Sequence, residues 1–389
     1  MKGPAAALLA LVAAPAAADP LRLRADVLAT TQSPAGLLVL DSDATASATT
    51  SAEAIVWTAA SPLPGEHAGD VLVIALRTRT ADGRARAQLG RFVAMLGALR
   101  PLHIDGGMGH LRLPYRVDVE AYAGIPVVPD TGAGRTWDWA AGGRVARRVG
   151  DYGSVGVAVM EQRDHGRIAS EELGLDGGAE LDKRDDLAIQ GAYDLANPGI
   201  AEITANASRR TSDALRGELY ATYREASHLL PATSLFTVLG DVPSVRGGMV
   251  VTWKAAPRLD VIGDAAARYV DQGYAPAVTA RGVLRLDDRG ASALSGELRR
   301  DGSPDDAWTG ARGSARIALG HELTASSELE LVIPDHARGR GAVWPWALAA
   351  IGWDRGDWHG AFALEASASP EDRRRLDALF ELGHTWGHR

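Results

Sequence analysis

A chain of 389 residues with 41 Lys and Arg against 49 Asp and Glu carries a formal net charge of −8, which excludes the broad positive surface of a general nucleic-acid binder. It has no cysteine, so a disulfide framework, a thiolate metal site and a lipid-modified N-terminal cysteine are excluded too. Past the N-terminus no apolar run reaches the ~18 residues of a membrane helix. A closed β-barrel is then the one way for this chain to enter a bilayer.

The chain opens with one basic residue, Lys2, an apolar run from Ala5 to Ala14, and the small residues Ala16, Ala17 and Ala18 ahead of Asp19. That layout predicts a secretory signal peptide over residues 1–18, with 19–389 as a single exported domain. From Asp19 to about His110 the pattern is irregular. "LRLRADVLA", "GLLVLDSDA", "EAIVWTAA" and "DVLVIALRTRT" read as strands, and the polar run from Ser42 to Glu53 reads as a loop. "RARAQLGRFVAMLGALR" has two readings. Leu89, Phe92, Val93, Leu96 and Leu99 would line a helix face, but Gly90 and Gly97 each weaken a helix by about 1 kcal/mol, and Ala81-Asp82-Gly83 looks like a hairpin turn; the strand is favoured. In "PLHIDGGMGHLRLPYR", His103, Asp105 and His110 are either a weak metal site or the flanks of a turn at Asp105-Gly106-Gly107. The turn is preferred, because two imidazoles and one carboxylate without supporting ligands hold a metal poorly.

From Tyr115 the same unit recurs to Trp386: about ten residues alternating apolar with polar or small, then a Gly, Asp, Pro or Ser turn. In "YRVDVEAYAG", Tyr115, Val117, Val119 and Ala121 take one face; Arg116, Asp118, Glu120 and Tyr122 take the other. "GSVGVAVMEQR", "IAEITANAS", "RGELYATYRE", "SSELELVI" and "RLDALFELGHTW" behave alike, which is the period of a strand with a different environment on each face. About 16 such runs follow Tyr115, and with those before it about 16–20 strands are expected. Short connections such as "RDHGR", "DKRDD" and "WDRGDW" make neighbours antiparallel. A meander this long must close to hide its edges.

Of ten tryptophans, Trp137, Trp139, Trp308, Trp344, Trp346, Trp353, Trp358 and Trp386 lie within a few residues of a turn, where a transmembrane barrel places its interfacial aromatic girdles. With the signal peptide, the alternating runs and the terminal strand "LDALFELGHTW", the chain resembles a bacterial outer-membrane β-barrel of the porin-like kind. The resemblance implies an all-β, antiparallel up-and-down transmembrane barrel over residues 19–389, with 19–110 as less regular wall or partial plug and 111–386 as a regular meander. It implies outer-membrane lipid as surroundings. It also implies recognition of the last strand by the barrel-assembly machinery, with Trp386 as the terminal aromatic and Gly387-His388-Arg389 extending beyond it.

No nucleophile elbow, zinc-protease helix motif or phosphate loop occurs, so neither an enzyme nor a cofactor is expected. With apolar faces toward lipid, Arg116, Asp118, Glu120, Gln190, Glu202, Glu218, Arg224, Lys254, Glu297, Arg299, Glu328, Glu330 and Glu365 point inward, and Arg116, Asp118, Glu120, Glu218, Arg224, Glu297, Arg299, Glu328 and Glu330 are the candidates to line a pore for small hydrophilic solutes. Two other readings stay open: a non-transporting barrel that is scaffold or sheath for a partner protein, and a soluble periplasmic β-rich protein.

Overall fold

The computed structural model describes residues 22–30, 36–60, 67–127, 137–182, 184–225, 244–270, 273–303, 306–320, 322–336, 343–368 and 375–386. The expected signal peptide lies outside them. They form 22 strands and one short 3-10 turn, Pro114–Arg116. The first six strands are β1 (Arg22–Thr30), β2 (Gly36–Ser47), β3 (Thr50–Ala60), β4 (His67–Arg79), β5 (Ala85–Ala94) and β6 (Leu102–Leu113). Next come β7 (Val117–Pro126), β8 (Trp137–Val149), β9 (Gly153–Asp164), β10 (Arg167–Glu180), β11 (Asp185–Asp194), β12 (Gly199–Arg210), β13 (Leu215–Arg224) and β14 (Ser244–Ala256). The wall continues through β15 (Leu259–Val270), β16 (Gly273–Arg285), β17 (Ala293–Ser303), β18 (Asp306–Gly320), β19 (Leu323–Pro334), β20 (Trp344–Arg355), β21 (Trp358–Ser367) and β22 (Arg375–Trp386).

Each strand pairs antiparallel with its sequence neighbours. β22 returns to β1, from Leu23 opposite Trp386 to Thr30 opposite Leu379, and the sheet closes on itself. The fold is therefore an all-β, up-and-down barrel. The 16 runs read after Tyr115 correspond to β7–β22, but the expected total of 16–20 is too low, because all of β1–β6 belong to the wall. The polar run from Ser42 to Glu53 is not a loop either: it is the β2–β3 hairpin, with Asp43 opposite Glu53 and only Ala48 and Thr49 between the strands. Small polar residues suit a strand whose inner face meets water, and a rule that equates polarity with loops misses them.

Turn chemistry fits the hairpins. His165 and Gly166 both take positive φ, 49° and 73°, the pair of conformations that joins β9 to β10 with right-handed twist. In the β4–β5 turn the Thr80 hydroxyl donates to Asp82 Oδ1 at 2.5 Å and the Arg84 amide donates to the same oxygen at 3.1 Å. These bonds hold the Asp82 carboxyl below the usual range, the Thr80 bond contributing most.

The two faces separate cleanly. Along β9, Val157 is 47% exposed while its neighbour Ala158 is 1% exposed, and Val155, Val157 and Val159 continue sideways into Leu173 and Leu175 of β10 and Val145 of β8. This apolar, exposed face is the outside of the barrel. Aromatic residues border it at both rims. At the rim holding β1's start and β22's end lie Trp253, Trp353, Trp358 and Trp386, with the His384 ring stacked on Trp358 at 4.2 Å between centroids. At the other rim lie Trp139, Tyr193 and the Tyr269–Tyr274 pair. On β15, eight residues separate Tyr269 from Val261, the partner of Trp253, roughly 26 Å along the strand, which matches the apolar band of a membrane barrel. Not every turn-flanking tryptophan joins a girdle: Trp308, Trp344 and Trp346 face inward, in register with Asp301, Val332 and Glu330.

A charge placed in this outer band should be costly. We expect Val157→Arg to destabilise the folded barrel by about 2–4 kcal/mol, with Gln190→Arg on the inner face within about 1 kcal/mol of the parent; denaturant titration of the heat-modifiable band in lipid or detergent checks the contrast.

Candidate functional site: a charged barrel interior

The inner face carries the polar half of every alternating run. Of the predicted pore-lining residues, Asp118, Glu120, Glu218, Arg224, Glu297, Arg299, Glu328 and Glu330 all lie on it, as do Gln190, Glu202, Lys254 and Glu365. Arg116 does not. Pro114 interrupts the ladder, Tyr115 and Arg116 take positive φ of 64° and 61°, and Arg116 sits in the β6–β7 turn, 3.1 Å from Asp151 of the next turn along the rim.

Cross-strand ion pairs knit this surface. Glu120 lies 3.1 Å from Arg144, whose guanidinium also grips Asp176 at 2.5 Å; Asp118 is 3.2 Å from His110. Glu202 pairs with Arg224 at 3.0 Å and Glu328 with Arg312 at 2.6 Å. Arg299 contacts Glu330, reaches Glu297 at 3.9 Å and lies under the Trp308 ring, its Cζ 4.8 Å from the centroid. The sequence reading missed Arg144, Asp176, Arg312, Arg246, Asp264 and Arg268, although each occupies the inward register of its strand. Only Arg246 and Arg312 lie two residues from another polar inward position, Ser244 and Ser314; Arg144, Asp176, Asp264 and Arg268 are flanked at that spacing by Gly, Ala, Ile or Val, so polar alternation did not mark them.

The stretch that held His103, Asp105 and His110 is one unbroken strand, β6, and not a turn at Asp105-Gly106-Gly107. His103 and His110 are seven residues apart on it and face opposite sides, so they cannot converge on one ion. Among the described residues no group of three or more His, Asp or Glu side chains is placed to hold a metal. What the stretch does is close a seam. β4 pairs with β5 only from Ile74–Arg91 to Arg79–Arg86, while its other edge pairs with β3 up to His67. Beyond Ile74 side chains stand in for the missing ladder: Arg91 Nη1 donates to Val71 O and Asp70 at 3.0 Å each, Arg91 Nε to Asp105 at 2.7 Å, and His103 Nε2 lies 2.6 Å from Leu72 O.

Above that seam the β5–β6 hairpin leans into the barrel. The connection of residues 95–101 buries Leu96 and Leu99 with Phe92, Ile104, Tyr122, Ala140, Ala158 and Met160. Leu99 packs over Gly174, and Gly97 lies against Arg144 and Asp176. Arg100 fixes the tip, with Nε 2.7 Å from the buried Glu172 and a further bond to Ser170. Apart from Pro334 at the end of β19, all described buried apolar residues larger than alanine lie between Phe92 and Met160. One sector of the interior thus has a packed core, and the rest is a polar wall.

No protein-family model matches the chain, and no curated protein matches it in sequence. Solved structures do match in fold. The ferric enterobactin receptor PfeA of Pseudomonas aeruginosa, as a double mutant, aligns with a TM-score of 0.58 at 8% identity over 95% of this chain and 81% of its own. The translocation pore of the P pilus usher PapC aligns at 0.53 and 9% identity, over 95% and 99%. The siderophore receptor PirA of Pseudomonas aeruginosa aligns at 0.52 and 10%, over 95% and 81%. Closed antiparallel wall, aromatic borders and these likenesses together define the class: a β-barrel of the bacterial outer-membrane type.

Proposed function

We propose that this barrel is a porin-like channel for passive passage of small hydrophilic solutes across the outer membrane. The observation that carries this reading is the asymmetry of the interior. A round barrel of 22 strands tilted at about 40° is roughly 40 Å across between backbones, and the single described segment that enters it, residues 95–101, covers only the β5–β10 sector. Elsewhere the wall presents charges that stay partly open to water, such as Arg224 at 38% and Arg312 at 41% side-chain exposure. Alternating acids and arginines on such a wall create a transverse field that admits small polar solutes and selects among them weakly by charge.

The long connections, up to 19 residues, all leave the rim opposite the termini, while those at the termini rim are two to seven residues long. Outer-membrane barrels keep short turns on the periplasmic side, so the long-loop rim faces outward here. Export by the N-terminal signal and insertion by the barrel-assembly machinery through β22 complete the reading. The charges serve permeation rather than catalysis, since several of the inner arginines, Arg144, Arg224 and Arg312 among them, are committed to cross-strand pairs.

Purified protein added to a planar bilayer should give discrete conductance steps. A detergent-stable, heat-modifiable barrel that gives none would overturn the channel in favour of a scaffold or sheath for a partner, and extraction without detergent would overturn the membrane location.

A further inference from the structure

At the long-loop rim, β13, β14 and β15 bring three arginines together on the inner wall. Arg246 and Arg268 are directly opposite each other in the β14–β15 ladder, and Thr222 stands opposite Arg246 on β13. Like charges in that relation destabilise a sheet unless something lies between them. Two acids are nearby, and both are engaged: Glu202 with Arg224 at 3.0 Å, and Asp264 with Arg246 at 3.2 Å and with the Tyr220 hydroxyl, which donates to it at 2.9 Å. Arg268 has neither an ion pair nor a hydrogen bond among the described residues, and the Nε atoms of Arg224, Arg246 and Arg268 are all shielded from water without a partner there. These groups line an open concavity of about 450 Å³ with Tyr220, Thr222 and Asp264. The Tyr220 ring lies under Arg246, 5.5 Å from its Cζ, and restricts where that guanidinium can go.

We infer that this concavity is a binding site for the oxyanion group, carboxylate or phosphate, of a small solute. One such group set between Arg246 and Arg268 would accept from two guanidinium forks, supply the missing acceptors, and cancel the repulsion across the ladder. The site sits where a solute first meets the wall, two residues inside the ends of β14 and β15. Local capture there raises the concentration of anionic solutes at the mouth. The inference deepens the channel reading by naming a solute class, yet the site can be tested without conduction.

Calorimetric titration of the detergent-solubilised full chain with sodium citrate, and separately with inorganic phosphate, reads the site directly. Saturable binding of at least one is expected, with citrate and phosphate separating carboxylate from phosphate preference. Arg268→Gln should weaken it by about tenfold, the loss of one charge-assisted pair of about 1.4 kcal/mol or more, while Arg268→Lys retains part of it and Arg84→Gln, in the exposed β4–β5 turn at the other rim, changes nothing. Heat-modifiability checks that each variant folds. Absence of saturable binding by the parent barrel, or equal binding by Arg268→Gln, overturns the site. Binding without any conductance would overturn the channel and leave the site standing.

Discussion

Gly90→Val is expected to prevent assembly of the barrel, whereas Gly109→Ala, on the next strand, should be silent. Gly90 has φ +124°, a conformation closed to L side chains, and a Cβ there would lie inside the Ile74 carbonyl. Gly106, its partner across the ladder, and Gly124 beyond it are equally confined; a Cβ on Gly124 would be 2.6 Å from Asp105 O. The three glycines form one row across β5, β6 and β7, at the level where β4 and β5 stop pairing. The row lets the sheet bend sharply and send the β5–β6 hairpin inward. A β-branched side chain combines a forbidden φ with a steric clash against backbone that has nowhere to move, at least about 4 kcal/mol. At Gly109 no atom lies within 4 Å of the added Cβ, so alanine finds open space. Loss of the heat-modifiable species for Gly90→Val with parent-like behaviour of Gly109→Ala is the result to look for; an assembled Gly90→Val barrel of normal stability would sink the account of the bend.

The same row shows where the sequence was legible and where it was not. Strands β7–β22 could be read because a lipid-facing residue must be apolar and its neighbour on the inner wall need not be, so "GSVGVAVMEQR" or "RLDALFELGHTW" states its faces residue by residue. In β5 and β6 that alternation is overwritten. Leu96, Leu99, Phe92 and Ile104 are apolar because they pack on one another inside the barrel, not because they touch lipid, and Arg91, Asp105 and His103 are polar because they serve an interrupted β4 edge. Periodicity carries no information about such tertiary partners. The glycines of "IDGGMG" were read as a turn since glycine permits one; here they allow backbone to approach backbone in mid-strand. Arg116 failed as an inward residue for a related reason, its strand alternation beginning after Pro114 had already turned the chain. The lumen charges fared better, although their pairings, such as Arg299 with Glu330 across β18, depend on a register that no single strand encodes.

The second large effect concerns the inward hairpin. Arg100→Met should release residues 95–101 from the wall without unfolding the barrel. Glu172 is 1% exposed and Arg100 14%, so the mutation leaves a buried carboxylate without its cationic partner, a loss of about 3–5 kcal/mol in comparable cases. The wall does not have to absorb that loss. Its 22 ladders are independent of the tip, and the cheaper response is local: the tip undocks, water reaches Glu172, and Leu96 and Leu99 give up their contacts. A 3 kcal/mol change shifts the docked-to-undocked ratio by more than about a hundredfold. Three observations should follow together. Denaturant stability of the heat-modifiable form stays within about 1 kcal/mol of the parent, protease cleaves between Met95 and Pro101, and single-channel conductance becomes larger and noisier as the β5–β10 sector opens. Adding Glu172→Met removes the stranded charge and is expected to restore docking in good part, because a buried pair exchanged for apolar side chains is often neutral. If Arg100→Met remained protease-resistant with parent conductance, the Arg100–Glu172 contact would not be what holds the hairpin in the lumen, and the apolar cluster around Leu99 would have to hold it alone.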